Sequence, residues 1–184
     1  MKSFSLSAIG RDQPGIVAAI TEPLFKRGCN IEDSSMTILG AEFAVILLMT
    51  IPQGVDFKAL VQEIKEVGKE CSLTIDMKEV AGGAPEEPTA LSNYILTLYG
   101  EDTTGLIYKT ACLLLEEKIN ITDLETKTAH EEDEGKGKNL YMMMMELYIS
   151  AETDLPGLKD RLKALGEELG VSIRLKPIED FGRL

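Results

Sequence analysis

Gly10-Arg11-Asp12-Gln13-Pro14-Gly15-Ile16 returns ninety residues later as Gly100-Glu101-Asp102-Thr103-Thr104-Gly105-Leu106. The same shift carries Asn30-Ile31-Glu32-Asp33 onto Asn120-Ile121-Thr122-Asp123, and Phe4, Leu6 and Leu24 onto Tyr94, Leu96 and Leu114. Farther along the shift is 98: Phe43 meets Tyr141, Leu60 meets Leu158, Gly68 meets Gly166 and Ile75 meets Ile173. Eight extra residues therefore lie between Asp123 and Tyr141, and the charged, glycine-rich run 131–139 reads as a solvated hairpin loop. A chain of 184 residues repeated in this way reads as two domains of one ancestry. Residues 1–80 are expected to form the first and 92–180 the second. Residues 81–91, with Gly82, Gly83, Pro85 and Pro88, read as a linker.

Within each repeat the pattern is strand, helix, strand, strand, helix, strand. Ser3-Phe4-Ser5-Leu6-Ser7-Ala8 alternates as a half-buried strand does. A helix is expected from about residue 14 to 27, with Pro14 in its first turn, a kink at Pro23 and a stop at Gly28. Residues 31–39 and 42–51 form a hairpin about Gly40-Ala41. Phe57, Leu60, Val61, Ile64 and Val67 fall at helical spacing, and Leu73, Ile75 and Met77 alternate as a last strand. The second copy repeats the helical stripe with Leu155, Leu158, Leu162, Leu165 and Leu169. This order predicts an α+β fold: two tandem ferredoxin-like βαββαβ domains, each an antiparallel sheet with helices on one face. The runs 43–49 and 140–145 are apolar at every position, so part of the helix-free face should also be covered. Pairing by edge or by face, covering Val45, Leu47, Met143 and Met145, and hence a homodimer, is the expectation.

Composition excludes several functions. Nineteen basic residues against thirty-one acidic leave a net charge of −12, which repels phosphate backbones and anionic lipid. Direct nucleic-acid and membrane binding are therefore not expected. The longest apolar run, 43–51, falls short of the ~20 residues a spanning helix needs. With no leader-like N-terminal run, a cytoplasmic location is expected. Cys29, Cys71 and Cys112 stand far apart, which suits reduced, mostly buried thiols. With His130 as the single histidine, neither a metal site, a catalytic triad nor a cofactor is expected.

What chemistry the repeat offers lies in the turn after each first strand. Glycines let the backbone turn tightly there, and a helix start offers unpaired N–H groups to a carboxylate. Asp12 or Asp102 could balance an ammonium beside it, so the turn is complementary to both charges of a free amino acid. A plain helix cap would use the same aspartate, and Asn30 or Asn120 could simply bond its own backbone.

Residues 10–18 together with Gly28-Cys29-Asn30-Ile31-Glu32-Asp33-Ser34-Ser35-Met36 resemble the ACT domain, a ligand-sensing module of amino-acid metabolism. The two-domain length and the Asn-Ile-Glu-Asp-Ser segment are similar to the tandem-ACT group of glycine cleavage system transcriptional repressor-like proteins. The resemblance implies amino-acid sites lined by Asp12, Gln13, Pro14, Gly15, Asn30 and Ile31, and by Asp102, Thr103, Thr104, Gly105, Asn120 and Ile121. These would lie at interfaces between paired domains. The second copy departs from the pattern, with Thr104 for the proline and Leu124-Glu125 for Ser34-Ser35, so the two sites need not be equivalent. The function implied is a non-enzymatic regulatory protein that binds a small amino acid and modulates a protein partner in transcriptional control of glycine and one-carbon metabolism. That partner would be a transcription factor or a metabolic enzyme. The alternative is a detached regulatory module of an amino-acid or one-carbon metabolic enzyme.

Overall fold

Phe4, Leu6 and Ala8 point one way and Ser3, Ser5 and Ser7 the other. In a computed structural model of the chain that alternation becomes the strand β1 (Lys2–Arg11), with Leu6 wholly buried. The structure describes residues 2–80, 91–131 and 138–178. The linker expected at 81–91 falls outside them except for Leu91; of the loop expected at 131–139, residues 132–137 fall outside them, whereas Glu131, Lys138 and Asn139 belong to paired strands instead of a loop. The chain divides into two compact units, residues 1–86 and 87–184.

In unit 1, β1 is followed by α1 (Ile16–Lys26), β2 (Asn30–Leu39), β3 (Glu42–Ile51), α2 (Phe57–Glu70) and β4 (Leu73–Val80). Unit 2 repeats the order as β5 (Tyr94–Glu101), α3 (Leu106–Glu116), β6 (Asn120–Glu131), β7 (Lys138–Tyr148), α4 (Leu155–Leu169) and β8 (Val171–Pro177). The strands lie in the orders β2-β3-β1-β4 and β6-β7-β5-β8, every pair antiparallel. The two tandem βαββαβ ferredoxin-like units expected from the repeat are therefore the fold.

Caps and glycines fix the ends of the elements. Asp56 accepts from the N–H groups of Lys58 and Ala59 to start α2, and Asp154 accepts from that of Gly157 to start α4. Gly10 lies so close to the entry of β4 that a β-carbon there would stand 2.7 Å from the Ser72 carbonyl oxygen. α1 begins later than the sequence predicts: Gly15 is its N-cap and Pro14 stands outside it, while the helix runs on through a buried Pro23. The three cysteines are half-buried rather than buried.

The phase of the apolar strands also differs from expectation. Val45 and Leu47 are buried under the helices of unit 1, and Met143 and Met145 are wholly buried in unit 2. These four are core residues, covered without any pairing. The helix-free faces instead present Ile9, Ile46 and Leu48 in unit 1, and Tyr99, Met142 and Tyr148 in unit 2. An all-apolar run cannot reveal its phase; only the neighbouring strand, with its serines facing outward, sets it. Among the described residues, no helix is long and apolar enough to cross a membrane.

Candidate functional site

Each first strand ends in a turn held from outside. The Asp12 N–H donates to the Ala41 carbonyl at 2.8 Å, and the Asp102 N–H donates to that of Asn139 at 2.9 Å. Gln13 reaches across the turn, its Nε2 donating to the Cys71 carbonyl at 2.9 Å, which ties the loop to the end of α2. Gly15 and Gly105 then take left-handed backbone angles, φ 94° and 97°, that a side chain would strain.

No side chain caps α1 or α3. The first intrahelical bonds run from Ala19 to Gly15 and from Lys109 to Gly105, so the N–H groups of residues 16–18 and 106–108 have no partner within their helices. Asp12 and Asp102 are exposed and do not serve as caps, although Asp56 and Asp154 do that work at α2 and α4. The plain cap reading of Asp12 therefore does not hold.

Beside the start of α1 is a hollow of about 340 Å³. Asp12, Gln13 and Gly15 form its rim, and Val17, Met36, Ile38 and Phe43 its apolar wall. The wall is not legible in the sequence, where residues 31–39 read only as one strand of a hairpin. Met36 and Ile38 are 53% and 50% exposed, on an edge strand that is exposed at every residue.

Asn30 and Ile31 lie elsewhere. They line a second hollow, about 640 Å³, with Thr21, Phe25 and Cys29, and the two hollows meet at Ala18. Partners along β3 measure the separation: Gly10 stands opposite Phe43, whereas Asn30 stands opposite Thr50. Seven strand residues span roughly 23 Å, so Asp12 and Asn30 occupy opposite ends of one groove between α1 and the β2 edge. The repeated Asn-Ile-x-Asp segment has a structural role as well. In both units the register slips there, leaving Glu32 and Thr122 as bulge residues.

Unit 2 keeps this frame and changes the wall. Thr126, Thr128 and Tyr141 take the places of Met36, Ile38 and Phe43. Burial raises the Tyr141 phenol above its ordinary range; its hydrogen bond with the Thr126 side chain pulls it down, and the Asp102 carboxylate pushes it up again. Thr103, Thr104 and Asp102 are exposed, and Asn120 begins β6 opposite Tyr148, again at the far end of its sheet. Ile121 packs partly against the unit 2 core. Among the described residues there is no group of three or more His, Cys, Asp or Glu side chains that could hold a metal ion.

Residues 3–78 match the family model of the ACT domain. The chain is 30% identical over 164 residues to the glycine cleavage system transcriptional repressor of Escherichia coli (strain K12), covering 89% of this chain and 84% of that relative. A UPF0237 protein of Methanocaldococcus jannaschii is 38% identical over 76 residues, 41% of this chain and 84% of its own length. Among solved structures, that of an unknown protein from Galdieria sulphuraria superposes with a TM-score of 0.79 at 25% identity, covering 96% of this chain and 98% of that one.

Proposed function

The chain belongs to the tandem ACT-domain family of glycine cleavage system transcriptional repressor-like proteins, and from that premise we propose that it is a non-enzymatic amino-acid sensor acting on a protein partner. The observation that carries this reading is the start of α1. Uncapped N–H groups, an aspartate not engaged as a cap, and an apolar wall converge there on one hollow. An amino acid would set its carboxylate on the N–H groups of residues 16–18 and its ammonium toward Asp12. Its side chain would lie on Met36, Ile38 and Phe43. That wall favours an aliphatic amino acid over glycine or serine, whereas the Thr126–Tyr141 wall of unit 2 suits a smaller polar one.

Asn30 joins such a site only from a second copy. The β2 edge is exposed along its whole length, and antiparallel pairing of two such edges over residues 30–39 would set Asn30 of one copy across from Leu39 of the other. That is the end at which the other copy's Asp12 stands. A site shared in this way would link occupancy to assembly, which is how a ligand can bias two states. With a net charge of −12 the output goes through a protein, a transcription factor or an enzyme, rather than through nucleic acid.

Calorimetric titration with glycine, serine, threonine, valine, leucine and isoleucine tests the proposal. Asp12→Ala is expected to abolish binding at the aliphatic site, since removing one partner of a desolvated charge pair costs ~2–5 kcal/mol. Asp102→Ala is expected to affect only a separate, polar-preferring event. If no amino acid binds the unaltered chain, or if Asp12→Ala binds as tightly, the sensor reading fails.

A further inference from the structure

The helix-free face of the second sheet carries acids on one edge strand and bases on the other in two of its rows. Reading across paired residues from β6 through β7 and β5 to β8 gives one row of Asp123, Glu146, Ile95 and Lys176. The next same-face row is Glu125, Met144, Thr97 and Arg174, and the one after it Lys127, Met142, Tyr99 and Ser172. Asp123 and Glu125 stand on the β6 edge and Arg174 and Lys176 on the β8 edge, while the third row places Lys127 on β6 opposite the neutral Ser172 of β8. Between them, β7 and β5 carry Ile95, Met144, Met142 and Tyr99 along with Glu146 and Thr97, and of these Met142 is 52% and Tyr99 49% exposed. Asp123, Glu125, Arg174 and Lys176 are all exposed and make no ion pair among the described residues.

The strand order selects what fits this face. Turning a second copy about a two-fold axis parallel to the strands, in the plane of contact, exchanges β6 with β8 and β7 with β5 and returns each row onto itself. Asp123 of one copy then stands over Lys176 of the other, Glu125 over Arg174, and Met142 over Tyr99, each contact occurring twice. Glu146, which accepts from Ser92 Oγ at 2.6 Å, adds to the negative side, and Lys127 meets the neutral Ser172. An axis running across the strands instead sets β6 over β6, with Glu125 facing Glu125 and Arg174 facing Arg174 at its centre. Like charges so placed oppose association. Sheets stacked with their strands aligned lie about 10 Å apart, a gap that long charged side chains and a methionine–tyrosine contact bridge.

We propose that the helix-free face of the second sheet is a self-association surface, occupied by the same face of a second copy of this chain in the parallel two-fold arrangement. Four strands about 4.8 Å apart and three to four rows about 6.7 Å apart cover roughly 400–500 Å² on each side. That is well under the ~800 Å² per partner of standard interfaces, so the association is weak, concentration-dependent and sensitive to salt.

Sedimentation velocity of the full chain, from about 1 to about 200 μM at low and at moderate salt, reads it directly. Glu125→Arg and Arg174→Glu are each expected to weaken the association at least about tenfold, because each turns two attractive contacts into repulsive ones. Met142→Glu is expected to weaken it similarly through the contact with Tyr99. The double reversal E125R/R174E is expected to return it to within about threefold of the unaltered chain. All the altered positions are exposed, and circular dichroism checks that each variant is folded. An association state that is the same in every variant, or a double reversal no better than either single change, overturns the proposal.

Discussion

Tyr141 stands where the first repeat has Phe43, and its one extra oxygen gives unit 2 a pH dependence that unit 1 lacks at this place. The phenol's value in the folded chain is raised, burial being the largest cause. Its neutral form therefore contributes stability that is complete below about pH 10, the ordinary phenol value, and is lost as pH rises through the raised folded value. Tyr141→Phe is expected to remove that loss, so that urea midpoints of the two chains differ in slope above pH 10 and run parallel below it. The helix ends offer a second test at this scale. α1 ends with Gly28 in the left-handed region while α3 places Lys118 there at φ 56°; α4 is followed by Gly170 while α2 is followed by Ser72 at φ 55°. Lys118→Gly and Ser72→Gly should each stabilise the chain by about 1 kcal/mol, the strain an L-residue bears there, read as a raised urea midpoint at unchanged slope. Gly28 was legible as a stop from sequence; that a lysine takes the same backbone angles ninety residues on was not, because only the repeat's geometry demands it.

The strands and helices follow from the periodicity of the sequence, and two failures of that reading have definite causes. Residues 43–49 are apolar at every position, so sequence alone cannot say which set faces the helices. The answer comes from β1, whose serines pair on the outer face and put Leu6 beside Leu47 in the core. Leu47→Ala is expected to cost ~2–5 kcal/mol. Leu48→Ala, one residue away on the open face, should change stability by less than about 0.5 kcal/mol. Comparable losses at both positions would contradict the assigned register. The second failure is the start of α1. Pro14 suits a first helical turn, yet the left-handed Gly15 intervenes and leaves the helix without a side-chain cap. That departure leaves the N–H groups of residues 16–18 without a helical partner beside Asp12, the corner to which we assign the ligand carboxylate.

At the scale of the whole molecule, the repeat made two domains legible, and the motif singled out the turn that the proposed site uses. It did not show that Asp12 and Asn30 lie at opposite ends of the groove. Both are eighteen residues apart in a motif that looks contiguous, but β1 and β2 run parallel to each other on either side of β3. The end of one strand and the start of the other are thereby separated by the length of the sheet. A site using both residues needs two copies, whose edges β2 would provide the contact. The helix-free face of unit 2 offers a different contact on a different surface, so a chain able to use both could grow beyond a dimer. The shared site is tested most directly by calorimetry on a mixture. Asp12→Ala and Asn30→Ala chains, each unable to bind the aliphatic amino acid alone, are combined, left to exchange and titrated with it. Mixed pairs contain one site with both residues intact and one with neither, so binding is expected to return at up to about a quarter of the unaltered capacity. A mixture as silent as its components, or an Asn30→Ala chain that binds normally by itself, would contradict a site built across two copies.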